Sequence, residues 1–170
     1  MHFDSLRPKV SQVNSALLKT VRDKYEIIKN WDMSHICEYL VINEGVTQED
    51  AVAMELEYKR FLAISFVVTD ERRYPISASV DPFWHSHIMH THDYTKMCHT
   101  LGGQYIHHVP AVTAEARARL CDAYNENTIP LYREAFGEPD PKWWPQDASI
   151  CVACCDRDQH ADKDQLLLSV

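Results

Sequence analysis

Seven of the chain's ten histidines lie between Asp81 and Pro110: His85, His87, His90, His92, His99, His107 and His108. Asp81, Asp93, Tyr94 and Cys98 stand among them. Neutral imidazole is the commonest metal ligand in proteins, and its unperturbed charge change falls between about pH 5 and 8. A stretch this dense in imidazole, carboxylate and thiol points to a metal site or to acid–base chemistry. It leaves the reaction open.

The elements around these residues must then bring them together. Asp81 to Leu101 is expected to be one helix, with Asp81 as N-cap, Pro82 in the first turn and Gly102-Gly103 as its stop. On such a helix His87, Thr91, Tyr94 and Cys98 share one polar stripe, while Asp81, His85 and His92 lie on a neighbouring face with Trp84 and Ile88. His85 and His87, two residues apart, diverge by about 200° and do not naturally hold one ion together. A further ligand is expected from the loop beyond the glycines, where His107 or His108, constrained by Pro110, turns back onto the helix. The candidate metal ligands are His85, His87, His108 and Cys98, with Asp81 orienting one imidazole and Tyr94 donating a proton or hydrogen bond. The ion is expected to be a divalent transition metal, iron or zinc ahead of copper. Three protein ligands and an open position would suit activation of water or binding of an oxygen-containing ligand. Each histidine also has a plain structural use, as a core imidazole hydrogen-bonded to backbone or carboxylate. Asp81, four residues before His85, could be such a partner.

The rest of the chain supplies a helical frame. Val10, Val13, Leu17, Val21, Tyr25 and Ile28 recur at helical steps, and a short second helix is expected over Ser34 to Asn43, stopping near Gly45. Thr47 to Asp50 matches a capping box, and the helix it opens becomes apolar on nearly every side from Ala51 to about Val68. After a polar loop from Thr69 to Ser79, the histidine helix follows. Thr113 then caps a fifth helix, Ala114 to about Phe136, which Pro130 should kink or divide. The expected fold is all-α, a single compact domain of about five helices over residues 1–145, with an extended tail over 146–170 that is flexible unless metal holds it.

Composition narrows the function classes. A net charge of −8 argues against nucleic-acid partners, which need clustered Lys and Arg. No stretch approaches the roughly 18 apolar residues of a membrane span, and MHFDSLRPKV carries no apolar signal core. The expectation is a cytoplasmic protein whose six cysteines stay reduced, acting on a small molecule or peptide, with its oligomeric state open. Cys37 and Cys121 sit on apolar helical faces as core residues. In the tail, Cys151, Cys154 and Cys155 with His160 could chelate zinc, copper(I) or an iron–sulfur cluster, or do redox work. A tail that takes up metal adventitiously is the plainer alternative.

The pattern Val80-Asp81, Trp84-His85, His87-Ile88, Thr91, Tyr94, Cys98, a glycine turn, then His108 and Pro110 resembles the glycine-rich domain-containing protein family. It is similar to the N-terminal helical domain of that family's plant members and to its short bacterial relatives. Tyr74-Pro75 upstream fits, as do Tyr124, Thr128, Tyr132, Phe136-Gly137 and Trp144-Pro145 downstream. The resemblance spans roughly Trp31 to Pro145, and this chain, lacking a glycine-rich tract, would be a stand-alone domain. It implies that Asp81, His85, His87, Tyr94, Cys98 and His108 matter, and it implies no reaction. The leading functional expectation is a metal-dependent enzyme, by oxidative non-heme iron chemistry or hydrolysis. The alternatives are a non-catalytic metal-binding or interaction module, and a purely structural role for the histidines.

Overall fold

Charge buried on one apolar helix organises the molecule. The computed structural model describes residues 14–66, 72–146 and, as backbone, 153–157. Among them α1 (Ser15–Ile28), α2 (Ser34–Glu44) and α3 (Gln48–Ser65) come first. Asn14 caps α1 through its side chain, accepting from the Ala16 N–H, and Thr47 caps α3 by accepting from the Asp50 N–H. Such caps stabilise a helix by about 1 kcal/mol each. Gly45 closes α2 in the left-handed conformation, as its position in the sequence predicts. The expected N-terminal extension of α1 and the last turn after Phe66 lie outside the described residues.

Helix α3 is the centre, and α1, α2, α4 and α7 pack against it. Its Tyr58, Phe61, Leu62, Ala63 and Ile64 are fully buried, and two of its charges, Glu57 and Lys59, are nearly so. An isolated charge in such a place would cost several kcal/mol, so each must be paired and hydrogen-bonded. Lys59 Nζ donates to the carbonyls of Lys29 and Trp31, just past the end of α1, and to Glu55 at 2.5 Å. Glu57 accepts from Tyr132 Oη at 2.5 Å, from Trp144 Nε1 at 2.8 Å and from Arg60 at 2.9 Å. That carboxylate ties α3 to α7 and to the Pro- and Trp-rich segment after Gly137. Burial and the nearby Glu57 charge together push the Tyr132 phenol up from its ordinary range, so it stays a donor.

The histidine helix is two helices. α4 (Asp81–Met89) ends at His90, whose ψ of 62° breaks the spiral, and α5 (Thr91–Gly102) begins directly after it. No proline or glycine causes the break. His90 Nδ1 meets the Ser86 carbonyl at 2.7 Å, taking the acceptor that the His90 N–H would use in a continuous helix, and that N–H turns to the His87 carbonyl instead. The single helical stripe expected over His87, Thr91, Tyr94 and Cys98 is therefore interrupted, although the rings of His87 and Tyr94 still meet at 5.1 Å. α5 stops at Gly103, in the left-handed region, and at Gly102 an added Cβ would lie 2.6 Å from the Phe66 ring. The two glycines thus allow both the turn and the close approach.

Strand β1 (Ile106–Pro110) follows and pairs antiparallel with β2 (Ala153–Arg157) in the tail, an addition to the expected all-helical order. The fifth expected helix is divided as Pro130 foretells: α6 (Ala114–Ala123), a π-turn (Tyr124–Thr128) and α7 (Ile129–Phe136). Proline 130 has no N–H to continue the ladder, and Thr128 Oγ1 donates to the Pro75 carbonyl across the fold. The domain is single, compact and mainly helical. The count exceeds five because two expected helices are each divided. No helix among the described residues is long and apolar enough to cross a membrane.

Breaking the Glu57 hub should be costly. Glu57→Ala is expected to lower the unfolding free energy by about 3–5 kcal/mol, because it leaves Arg60, Tyr132 and Trp144 without their buried acceptor. Trp144→Phe, which deletes one donor, should cost about 1–3 kcal/mol. Chemical unfolding of the three proteins checks the order.

Candidate metal centre

Helix α4 begins where Ser77 turns the chain: the backbone N–H groups of Val80 and Asp81 bond to the Ser77 carbonyl, and Ser77 Oγ donates to the Trp143 carbonyl. Asp81 is the first residue of the helix, not its cap, and Val80 before it makes no side-chain cap. The carboxylate is left facing inward, in the first turn, where the helix dipole favours negative charge. His85, one turn on, comes onto the same side. His108 reaches them from the middle of β1.

Three side chains converge there. Asp81 Oδ1 lies 3.0 Å from His108 Nε2, Asp81 Oδ2 lies 3.3 Å from His85 Nε2, and the two Nε2 atoms are 2.8 Å apart. Together Asp81, His85 and His108 form a group able to hold a metal ion. The fit can be tested on geometry. Ligands 2.0–2.2 Å from one ion at angles of roughly 90–110° stand about 2.9–3.5 Å apart, close to the spacing found. Hydrogen bonding accounts for the arrangement less well. Each Nε2 has one lone pair or one proton in the ring plane, yet each has two polar neighbours within 3.3 Å. One cation at their centre would satisfy all three at once.

The group is asymmetric in its access to solvent. The side chains of Asp81 and His108 are 8% and 13% exposed, while that of His85 is 58% exposed. Trp84 closes the inner side, its ring 4.6 Å from that of His108. An ion would therefore be held against the core and open toward water on the His85 side.

The other candidate residues are placed elsewhere. His87 is fully buried and engaged at both ring nitrogens: Nδ1 is 3.0 Å from Tyr58 Oη, and Nε2 is 3.1 Å from Asp93 Oδ2. A carboxylate only accepts, so the ring proton sits on Nε2 and Tyr58 donates to Nδ1. No lone pair is left for an ion, and the reading of His87 as a ligand is corrected on that ground. Cys98 is also buried, beside Tyr94 and the backbone of Ile106, and burial pushes its thiol up from the ordinary range. It is a protonated core thiol away from the convergent group. Tyr94 is buried too, and its hydroxyl accepts from Trp84 Nε1 at 3.0 Å and donates to the Ile106 carbonyl at 2.6 Å. Tyr94 thus holds β1 to α4 rather than meeting solvent. Asp81, read from the sequence as an orienting residue, brings its own oxygens into the ligand group. Cys154 and Cys155 belong to β2, and Cys151 and His160 lie outside the described residues.

Asp93 gathers a second polar cluster that the sequence did not reveal. Beside His87 it meets Trp31 Nε1 at 3.2 Å and His35 Nε2 at 3.6 Å. Trp31 and His35 come from more than fifty residues upstream, and no local spacing signals their arrival.

Burial of His87 has a pH consequence. Its pKa is held down to about 4, chiefly by desolvation, with Asp93 pulling upward against it. The ring is depressed in the fold, so the unfolded chain takes up the proton first as pH falls. Stability should decline from about pH 6.5 to about 4, by up to about 3 kcal/mol. Urea unfolding across that range should show a steeper fall for wild type than for His87→Gln. Parallel curves would refute the assignment.

Comparison with known proteins sets this geometry in a family. A family model described as UCP032817-like matches residues 13–124. No curated protein and no solved structure matches the chain. The family match overturns the resemblance to the glycine-rich domain-containing protein family, because the histidine pattern that suggested it lies within a stretch matched by this other model. The match spans well over half of the chain, from α1 through α6 with Asp81, His85 and His108, and the chain therefore belongs to the UCP032817-like family, an uncharacterised one.

Proposed function

We propose that the protein binds one divalent transition-metal ion through Asp81, His85 and His108 and uses the open side of that ion for metal-dependent catalysis. The convergence of two imidazole nitrogens and a carboxylate within 3.3 Å carries this reading. Two histidines and one carboxylate leave one position free on a tetrahedral zinc ion and more on an octahedral iron. Water in such a position becomes acidic enough to serve as a nucleophile near neutral pH, which is hydrolytic chemistry. On iron the same ligand set supports oxidative chemistry. A small-molecule or peptide substrate would approach from the exposed His85 side.

A second reading, a non-catalytic metal-binding module, is favoured by the pairing of β2 with β1, which runs the tail backbone alongside His108. A module of that kind closes its ion with protein ligands only.

Elemental analysis of the untagged protein, prepared without chelators, tests the site. Wild type is expected to hold about one equivalent of zinc or iron, with His108→Ala and Asp81→Asn losing it and His87→Gln keeping it. Metal retained in both of the first two variants, or none in wild type, would sink the proposal. Tyr94 acts as a positioning residue here. Tyr94→Phe should cost about 1–3 kcal/mol by leaving the Ile106 carbonyl and Trp84 Nε1 short of a partner. It should also weaken metal binding by about 10–100-fold, a loss that a purely structural tyrosine remote from the site would not produce.

A further inference from the structure

Strand β1 has two edges, and they are used differently. On one side Ile106 gives both of its backbone groups to α5: its carbonyl accepts from Tyr94 Oη at 2.6 Å, and its N–H bonds to the Cys98 sulfur. Opposite residues of an antiparallel pair alternate between those that exchange hydrogen bonds and those that do not. The register runs Ile106 to Arg157, His107 to Asp156, His108 to Cys155, Val109 to Cys154 and Pro110 to Ala153. With Ile106 turned to α5, the exchanging pairs are His107 with Asp156 and Val109 with Cys154. Pro110, which has no N–H, falls at a position that needs none. The second edge therefore offers the N–H groups and carbonyls of His107 and Val109 to any extended chain. Among the described residues β2 is the strand that takes them.

We propose that this edge is the docking strand for the substrate, an extended peptide segment that adds antiparallel to β1 in the place held by β2. The inference rests on the metal site proposed above and names the class of substrate it acts on. The edge belongs to the strand that bears His108. A peptide seated in this register has one residue opposite that ligand, on the same face, with its Cβ about 4.5–5.5 Å from the Cβ of His108. The side chain of that peptide residue is thereby delivered to the ion. The seat is also exchangeable. β2 completes a sheet of only two strands, and so small a ribbon is marginal in water, so a competing strand can take its place. Nor does a strand on this edge close the ion, because His85 is 58% exposed with β2 paired. In strand addition the backbone bonds give affinity and the alternating side-chain positions give selectivity. Here the pattern excludes proline from the two peptide positions facing His107 and Val109, whose N–H groups the ladder needs.

Fluorescence anisotropy of a labelled peptide on the full-length, untagged, reduced protein tests the docking. The peptide carries the sequence of residues 151–159 with serine for each cysteine. The full-length double variant Cys154→Pro/Asp156→Pro, whose own tail lacks the two ladder N–H groups, should bind it about 10-fold tighter than wild type or better. N-methylation of the peptide at the positions of Cys154 and Asp156 should abolish binding, whereas N-methylation at the position of Cys155 should leave it nearly intact. No binding to the double variant, or binding indifferent to which amide is methylated, overturns the inference. Delivery to the ion is read on the cobalt(II)-loaded double variant. A peptide with aspartate at the position of Cys155 should shift the ligand-field bands, and one with alanine there should not. A docked aspartate peptide that leaves the bands unmoved overturns the substrate assignment. Docking to a protein that binds no cobalt upholds the edge and removes the metal site instead.

Discussion

The hydroxyl of Tyr94 is the point on which the arrangement of the site depends. It receives a hydrogen bond from Trp84 on α4 and gives one to the carbonyl of Ile106 on β1. All of this happens out of contact with water, where an unmade hydrogen bond is expensive. Trp84 stands between Asp81 and His85 in the register of α4, and Ile106 is two residues before His108 on the same face of β1. One phenol therefore sets how a strand lies on a helix, and through them how a nitrogen from one comes within 2.8 Å of a nitrogen from the other. The frame behind it is α3, whose buried Tyr58 and Phe61 pack against Phe83 and Trp84. Converging polar atoms are held here by apolar and aromatic contacts a layer beneath them.

The break at His90 gives the clustered histidines separate work. In a straight helix His87 and Asp93 stand six residues apart on sides that diverge. With the helix broken, His87 Nε2 comes within 3.1 Å of Asp93 and is sealed into a hydrogen-bonded chain with Tyr58. His85 stays on the outer side with Asp81. His92 and His99 are exposed on α5 and take no part in the convergent group. A run of similar residues is thus sorted by backbone geometry into ligand-like imidazoles, a core imidazole and surface imidazoles.

Much of the frame could be read from residue order because its causes are local. Thr47 capping α3, Gly45 and Gly103 ending helices, and Pro130 dividing the last helical stretch are all short-range effects. The pairing of Asp81 with His85 is local as well, one helical turn apart. The break at His90 was hidden because it arises from a side chain competing for a backbone carbonyl, without the proline or glycine that usually marks such a place. His87 looked like a ligand for the same reason: only its depth in the core, set by α3, shows that both nitrogens are spoken for. The choice of His108 over His107 depends on which face of β1 turns inward, and the strand itself was legible only as a constrained loop. Trp31 and His35 reach Asp93 through tertiary packing alone.

His108 is 23 residues from His85 along the chain, and the whole of α5 lies between them. An ion shared by the two would act as a cross-link, closing that stretch of chain into a ring. Its stabilising effect would come from binding the folded state, because only the fold brings the three ligands together. A metal staple between a helix and a strand would hold the two together without a disulfide. The staple would be reversible: a chelator would open the ring without cutting a covalent bond.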